Sequence, residues 1–146
     1  MKDKYDALKL ENQLCFPLYA CSKEIVRRYK PYLDEIDLTY TQYIAMMVLW
    51  EHGRINVKDM GALLYLDSGT LTPVLMKLEQ KGYLTRERDH ADERVLNVTI
   101  TELGEKLKED AVLVPKKMGC CVCLEKEDAD ELYRLLHKVL GVLGKE

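Results

Sequence analysis

A mainly helical fold carrying one small β-hairpin is predicted for this chain of 146 residues. Three observations predict it. Apolar residues recur at three- and four-residue spacing over most of the length; two capped helical segments follow one another across a tight turn between Asn56 and Gly82; and two strand-like runs stand directly behind them.

The first helix is expected from about Leu14 to Tyr32, where Leu14, Leu18, Cys21, Ile25 and Tyr29 draw an amphipathic stripe and Pro31 helps to end it. Pro17 belongs in a first turn, because proline has no N–H to donate and its ring collides with the carbonyl four residues back. Cys15 therefore stands at or just before the helix start. Cys21, six residues on, is not on the facing turn and is expected to pack in the core.

Thr39 with Gln42 reads as a capping box for a second helix, with Gly53 suited to its C-terminal end. Met46, Met47 and Leu49 are expected in the core. Asn56 can cap a short helix, Val57 to Tyr65, and Asp67 the next, which runs to the stop signal at Gly82. Tyr83 to Arg88, the polar turn His90-Ala91-Asp92-Glu93, and Arg94 to Thr101 then form a hairpin, the second run alternating at the strand period of two. Thr101 can cap a further helix limited by Pro115, and Glu127 to Leu143 carries Leu132, Leu135, Leu136, Val139, Leu140 and Leu143 at helical spacing. Two capped helices with a hairpin behind them make a winged helix-turn-helix. The chain thus divides into one domain, 1–146, with helical arms at about 11–38 and 102–146 flanking a winged region at 39–101. The arms offer more apolar face than so small a head can cover, which predicts a homodimer.

Composition narrows the function. A hydrophobic fraction of 47% suits one packed domain, and no apolar run reaches the ~20 residues needed to span a bilayer. The N-terminus lacks the apolar core of a signal peptide, so a cytosolic protein is expected. A net charge of −3 excludes a protein that coats nucleic acid nonspecifically. Five cysteines, an odd set in a reducing compartment, argue against a disulfide framework.

In a helix-turn-helix the second helix enters the major groove of double-stranded DNA with its N-terminal residues at phosphates and base edges. Those residues are Ser68, Gly69, Thr70, Thr72 and Pro73, with Lys77 a turn further. In the hairpin, Arg86 and Arg88 alternate onto one face, and Arg94 follows Asp92 by two residues, a spacing that suits an arginine held for a narrow minor groove. The same residues read equally as a capped polar helix and a solvated hairpin, since Val57 to Arg94 carries six basic and seven acidic residues.

The segments LTYTQYIAMMVLWE, VKDMGALLYLDSGTLTPVLMKLEQKGYLTRER and DERVLNVTITELG resemble the MarR family of winged-helix repressors, in its organic-hydroperoxide-sensing OhrR-type branch. The resemblance spans nearly the whole chain. It implies a homodimer on a pseudo-palindromic operator, with Ser68 to Thr72 on the recognition helix and Asp92 positioning the wing-tip Arg94. It also implies that Cys15 is the residue oxidised by peroxide, and that Tyr29 and Tyr40, with Tyr19 nearby, hold its thiolate across the dimer interface. Some members of that branch next react with a small thiol; others close a disulfide to a distal cysteine of the partner, for which Cys120, Cys121 and Cys123 are the candidates and Cys120 the favoured one.

From the residues alone, Cys15 is either a small buried apolar side chain or a reactive thiol, because a thiol reacts as its anion and a helix N-terminus stabilises anions. A zinc site is disfavoured, since the CCxC run has no second ligand pair and His52, His90 and His137 are scattered. No cofactor is implied. Three other functions compete. One is a repressor released by a small lipophilic or aromatic inducer bound near Tyr19, Met47 and Trp50; another is a thiol peroxidase, for which the CxxC motif and catalytic partners are missing; the third is a winged helix used only for protein contact, which the hydroxyl-rich helix start and three wing arginines disfavour.

Overall fold

The computed structural model describes residues 3–119 and 122–144. Two single 3-10 turns, Asp6–Leu8 and Leu10–Asn12, lead into helix α1, Cys15–Asp34. Helix α2 (Tyr40–His52), strand β1 (Arg54–Asn56), helices α3 (Val57–Leu64) and α4 (Ser68–Gln80), and strands β2 (Leu84–Arg88) and β3 (Leu96–Ile100) follow. Helices α5 (Glu102–Ala111), α6 (Leu113–Met118) and α7 (Lys126–Leu143) complete the chain.

The local start signals act as their chemistry dictates. The Gln42 side chain accepts from the Thr39 N–H at 3.0 Å while the Thr39 hydroxyl accepts from the Gln42 N–H at 3.3 Å, the reciprocal capping box. Asn56, Asp67 and Thr101 each accept the N–H three residues on, which opens α3, α4 and α5. Gly53 ends α2 at φ 70°, a conformation that side chains resist. Gly61 is needed for a different reason: a Cβ there would lie 2.6 Å from the Leu66 carbonyl oxygen, so only glycine lets α3 fold onto the turn into α4.

Four expectations are corrected. Pro31 lies inside α1, because the loss of one N–H costs less than ending the helix before Leu33, whose side chain is buried. Pro115 sits in the first turn of α6; having no N–H for the Ala111 carbonyl, it puts a step at Val112 between α5 and α6 instead of stopping the helix. Met47 is half exposed, on the opposite side of α2 from buried Met46 and Leu49. Cys21 is exposed on α1 and takes no part in the core.

The hairpin also gains a third strand: β1 pairs antiparallel with β3, and the order is β1-β3-β2. One apolar core, with Met46, Leu49, Met60, Leu71, Leu75, Leu78, Leu84 and Val98 at its centre, joins α2, α3, α4 and the sheet. Leu107 and Ala111 of α5 and Val114 and Met118 of α6 belong to the same core, whereas α1 and α7 stay largely outside it. Among the described residues α7 buries none and α1 buries only Leu33. No described helix is long and apolar enough to cross a membrane.

Candidate DNA-reading face and thiol site

Helix α4 presents two faces. Leu71, Leu75 and Leu78 point into the core, which leaves Ser68, Gly69, Thr70 and Pro73 exposed and Thr72 half-buried on the other side. Asp67 accepts from the Thr70 N–H at 2.7 Å, and this bond holds its carboxyl below the usual carboxylate range. Between α3, the start of α4 and the wing lies a groove of about 880 Å3 that gathers Ser68, Thr72, Arg88 and Arg94. Lys58 and Asn56 also line it. Sequence reasoning missed both; only their place at the start of the first helix of the helix-turn-helix could have marked them.

The wing tip is a built structure. Arg94 donates from Nε and Nη2 to the two carboxylate oxygens of Asp92 at 3.0 and 3.2 Å, and its N–H donates to the same side chain at 3.1 Å. The Arg94 side chain is nonetheless 91% exposed. Asp89, also missed, accepts from the Ala91 and Asp92 N–H groups and from the Asn97 side-chain amide. These bonds, that from Ala91 first, hold its carboxyl below the usual range.

Arg86 shares its strand face with Arg88, two residues on in β2, but is half-buried and paired. Its Nε and Nη2 donate to Glu79 Oε1 at 3.3 and 3.1 Å, and its N–H to Oε2 at 2.9 Å. An arginine so engaged ties β2 to α4 and has its charge neutralised locally. Lys77 is exposed but lies away from the groove, lining a cleft beside the α1–α2 turn.

Cys15 is the first residue of α1 and is exposed. The preceding Leu14 is already helical, at φ −65° and ψ −35°, and gives no side-chain cap. Phe16 and Leu18 beside it are likewise exposed. The Tyr29 and Tyr40 rings lie tilted against each other with centroids 5.1 Å apart, and Tyr43 joins them at 6.0 and 6.4 Å. Tyr43 is buried, and burial followed by the neighbouring Tyr40 raises its phenol above the ordinary range.

Within one chain the structure does not bring Cys15 to these rings: fourteen residues of one helix separate Cys15 from Tyr29, roughly 21 Å at 1.5 Å per residue. Tyr19 is exposed on the same helix as Cys15, with Lys23 over its ring. Cys123 is exposed in the segment before α7, and Cys120 and Cys121 lie outside the described residues. The Trp50 indole donates to the Gly104 carbonyl at 2.9 Å. It is thus committed to holding α2 on α5.

The sequence model of the transcriptional regulator SarA/Rot family matches residues 27–111. The organic hydroperoxide resistance transcriptional regulator of Bacillus subtilis is 50% identical over 135 residues, covering 92% of this chain and 90% of that protein. SarZ of Staphylococcus aureus is 46% identical over 132 residues, 90% of this chain and 89% of that one. Among solved structures, reduced AbfR bound to DNA superimposes with a TM-score of 0.79 at 33% identity, covering 96% of this chain and 99% of that one. Overoxidised AbfR bound to DNA gives the same TM-score, and disulfide-formed AbfR gives 0.65 at 34% identity over 94% of this chain and 96% of that one. By the family match, these relatives and the winged helix itself, the chain belongs to the SarA/Rot transcriptional regulators, MarR-type winged-helix proteins and not enzymes, and within them it is like the organic-hydroperoxide regulators.

Proposed function

We propose that the chain is a DNA-binding repressor that works as a homodimer and releases a pseudo-palindromic operator when an organic hydroperoxide or related oxidant reacts with Cys15. One observation carries the reading: an exposed thiol opens a helix whose surrounding apolar face has no cover in its own chain, while the reading groove of the same chain is complete. Residues 11–38 and 102–146 form the dimer arms, and 39–101 read DNA. Ser68, Gly69, Thr70, Thr72 and Pro73 meet the major groove, and Asp92-held Arg94 the minor groove, with Arg88 and Lys58 at the backbone between them.

Because Tyr29 and Tyr40 cannot reach Cys15 of their own chain, the sensing site is made of Cys15 from one protomer and the tyrosines of its partner. Hydrogen bonds donated to a thiolate favour the charged form, so the tyrosines hold sulfur and interface together. The thiolate attacks the peroxide: an S–O bond forms, the O–O bond breaks, and the alcohol leaves with a proton while sulfur is oxidised by two electrons to the sulfenic acid. A second thiolate, from Cys120, Cys121 or Cys123 of the partner or from a small thiol, then displaces hydroxide, which leaves as water after protonation, and a disulfide remains. The likeness of this chain to AbfR, of which a disulfide-formed structure exists beside the reduced and overoxidised DNA-bound ones, supports disulfide closure as the releasing step. Two or three lost charge-assisted hydrogen bonds supply the few kcal/mol such a switch needs.

The test is Cys15→Ser, assayed for operator binding before and after stoichiometric organic hydroperoxide. The variant keeps binding and loses release; release that persists would show that an inducer other than Cys15 oxidation acts. Mass spectrometry on the same samples distinguishes a crosslink to Cys120 from a mixed disulfide.

A further inference from the structure

Lys81, which ends the recognition helix α4, reaches back 44 residues to the turn that joins α1 to α2. Its ammonium donates to the Asp37 backbone carbonyl, lies 3.3 Å from Asp37 Oδ2, and donates to Gln42 Oε1 at 3.4 Å. None of these acceptors is incidental. Asp37 stands at φ 53°, and the Asp37 and Leu38 N–H groups close onto the Asp34 and Leu33 carbonyls, which fixes the turn and directs the Asp37 carbonyl away from α1. Gln42 is only 4% exposed, and the same Oε1 that meets Lys81 also accepts from the Thr39 N–H in the capping box. Tyr40, the first residue of α2, is thus held on the element that Lys81 grips.

The clasp crosses open space. It spans a cleft of about 470 Å3 with Asp34, Leu38 and Thr39 on one wall and Lys77 and Gln80 on the other. The apolar packing of α2 and α4 in the core, with Tyr43, Met46, Leu71, Leu75 and Leu78, holds the fold. Lys81 adds a polar tie to the turn before Tyr40 and to the cap residue after it.

We propose that Lys81 is a positioning residue of the switch: it transmits a displacement of Tyr40 and the start of α2 to the C-terminal end of the recognition helix. This rests on Tyr40 being part of the Cys15 sensing site.

The experiment uses full-length wild type and Lys81→Met, with a DNA duplex selected from a random pool by the reduced wild-type protein. Affinity is read by fluorescence anisotropy before and after stoichiometric cumene hydroperoxide, and Cys15 oxidation by mass spectrometry. Wild type should lose about tenfold or more in affinity on oxidation, the ordinary range of a coupling between sites. Reduced Lys81→Met should bind within about threefold of wild type, oxidise Cys15 equally, and lose less than about threefold on oxidation. A variant that loses as much as wild type overturns the proposal alone. A reduced variant that no longer binds the duplex also overturns it, because Lys81 would then serve the fold or the DNA directly. If wild type keeps its affinity with Cys15 oxidised, the sensing reading itself fails and this proposal with it.

Discussion

Glu79 and Arg94 sit on the same reading head and serve it in opposite ways. Glu79 takes three hydrogen bonds from Arg86, one of them from the backbone, and so fixes β2 against α4. Its carboxyl is held below the usual range chiefly by the Arg86 side chain. Among the described residues Arg94 is pinned only to its neighbour Asp92, and its side chain is exposed. Glu79→Gln is therefore expected to cost about 1 kcal/mol of stability in urea unfolding, since part of the ion pair is exposed and one charge-assisted backbone bond is lost. Arg94→Ala should change stability by less than about 0.5 kcal/mol yet weaken operator binding at least tenfold. At this scale the sequence was legible where partners are close in number. The two-residue spacing of Asp92 and Arg94 is enough, whereas the sequence offers Arg86 only as a DNA contact or a solvated hairpin residue, because its partner Glu79 lies seven residues back on another element. Met47 and Cys21 were misread because periodicity tells which residues share a face, not which face meets the core.

The wing depends on one carboxylate for its shape. Asp89 gathers two backbone N–H groups and Asn97, and its lowered carboxyl means that this support is fully present above the ordinary carboxylate range and is lost as pH falls through the depressed value. Amide exchange at Ala91, followed by NMR down to about pH 2, should stay protected at pH 4 and open only below it. The turn of the helix-turn-helix is rigid for a different reason, the approach of the Leu66 carbonyl to Gly61. Gly61→Ala should destabilise the head by about 2 kcal/mol, measured by thermal unfolding, as backbone has to move. Helices α2 to α5 were legible from their caps because a cap is a contact over three residues, while α1 and α7, which have none, were legible from periodicity. Strand β1 was not, since three residues show no alternation and its pairing with β3 exists only once the chain has folded. The step at Val112 was hidden similarly, for a proline can end a helix or begin the next turn.

At the scale of the whole molecule the single chain is unfinished. Helix α7 buries nothing, and Leu132, Leu135, Leu136 and Val139 remain exposed along it, as do Phe16, Leu18 and Val26 on α1. Leu136→Glu is expected to give a monomer by sedimentation, with the wing still folded and operator binding lost, because one head supplies only half of the contacts. Periodicity made that need for a partner readable; which faces meet was not, because both stripes are equally apolar. The separation of Cys15 from Tyr29 along α1 has a consequence for mixed dimers. Homodimers of Cys15→Ser or of Tyr40→Phe should each keep the operator after peroxide. A heterodimer of the two, isolated through two different affinity tags, places both lesions in one composite site and leaves the other whole, so it should release DNA where neither homodimer does; a heterodimer that keeps the operator would mean that each chain senses by itself.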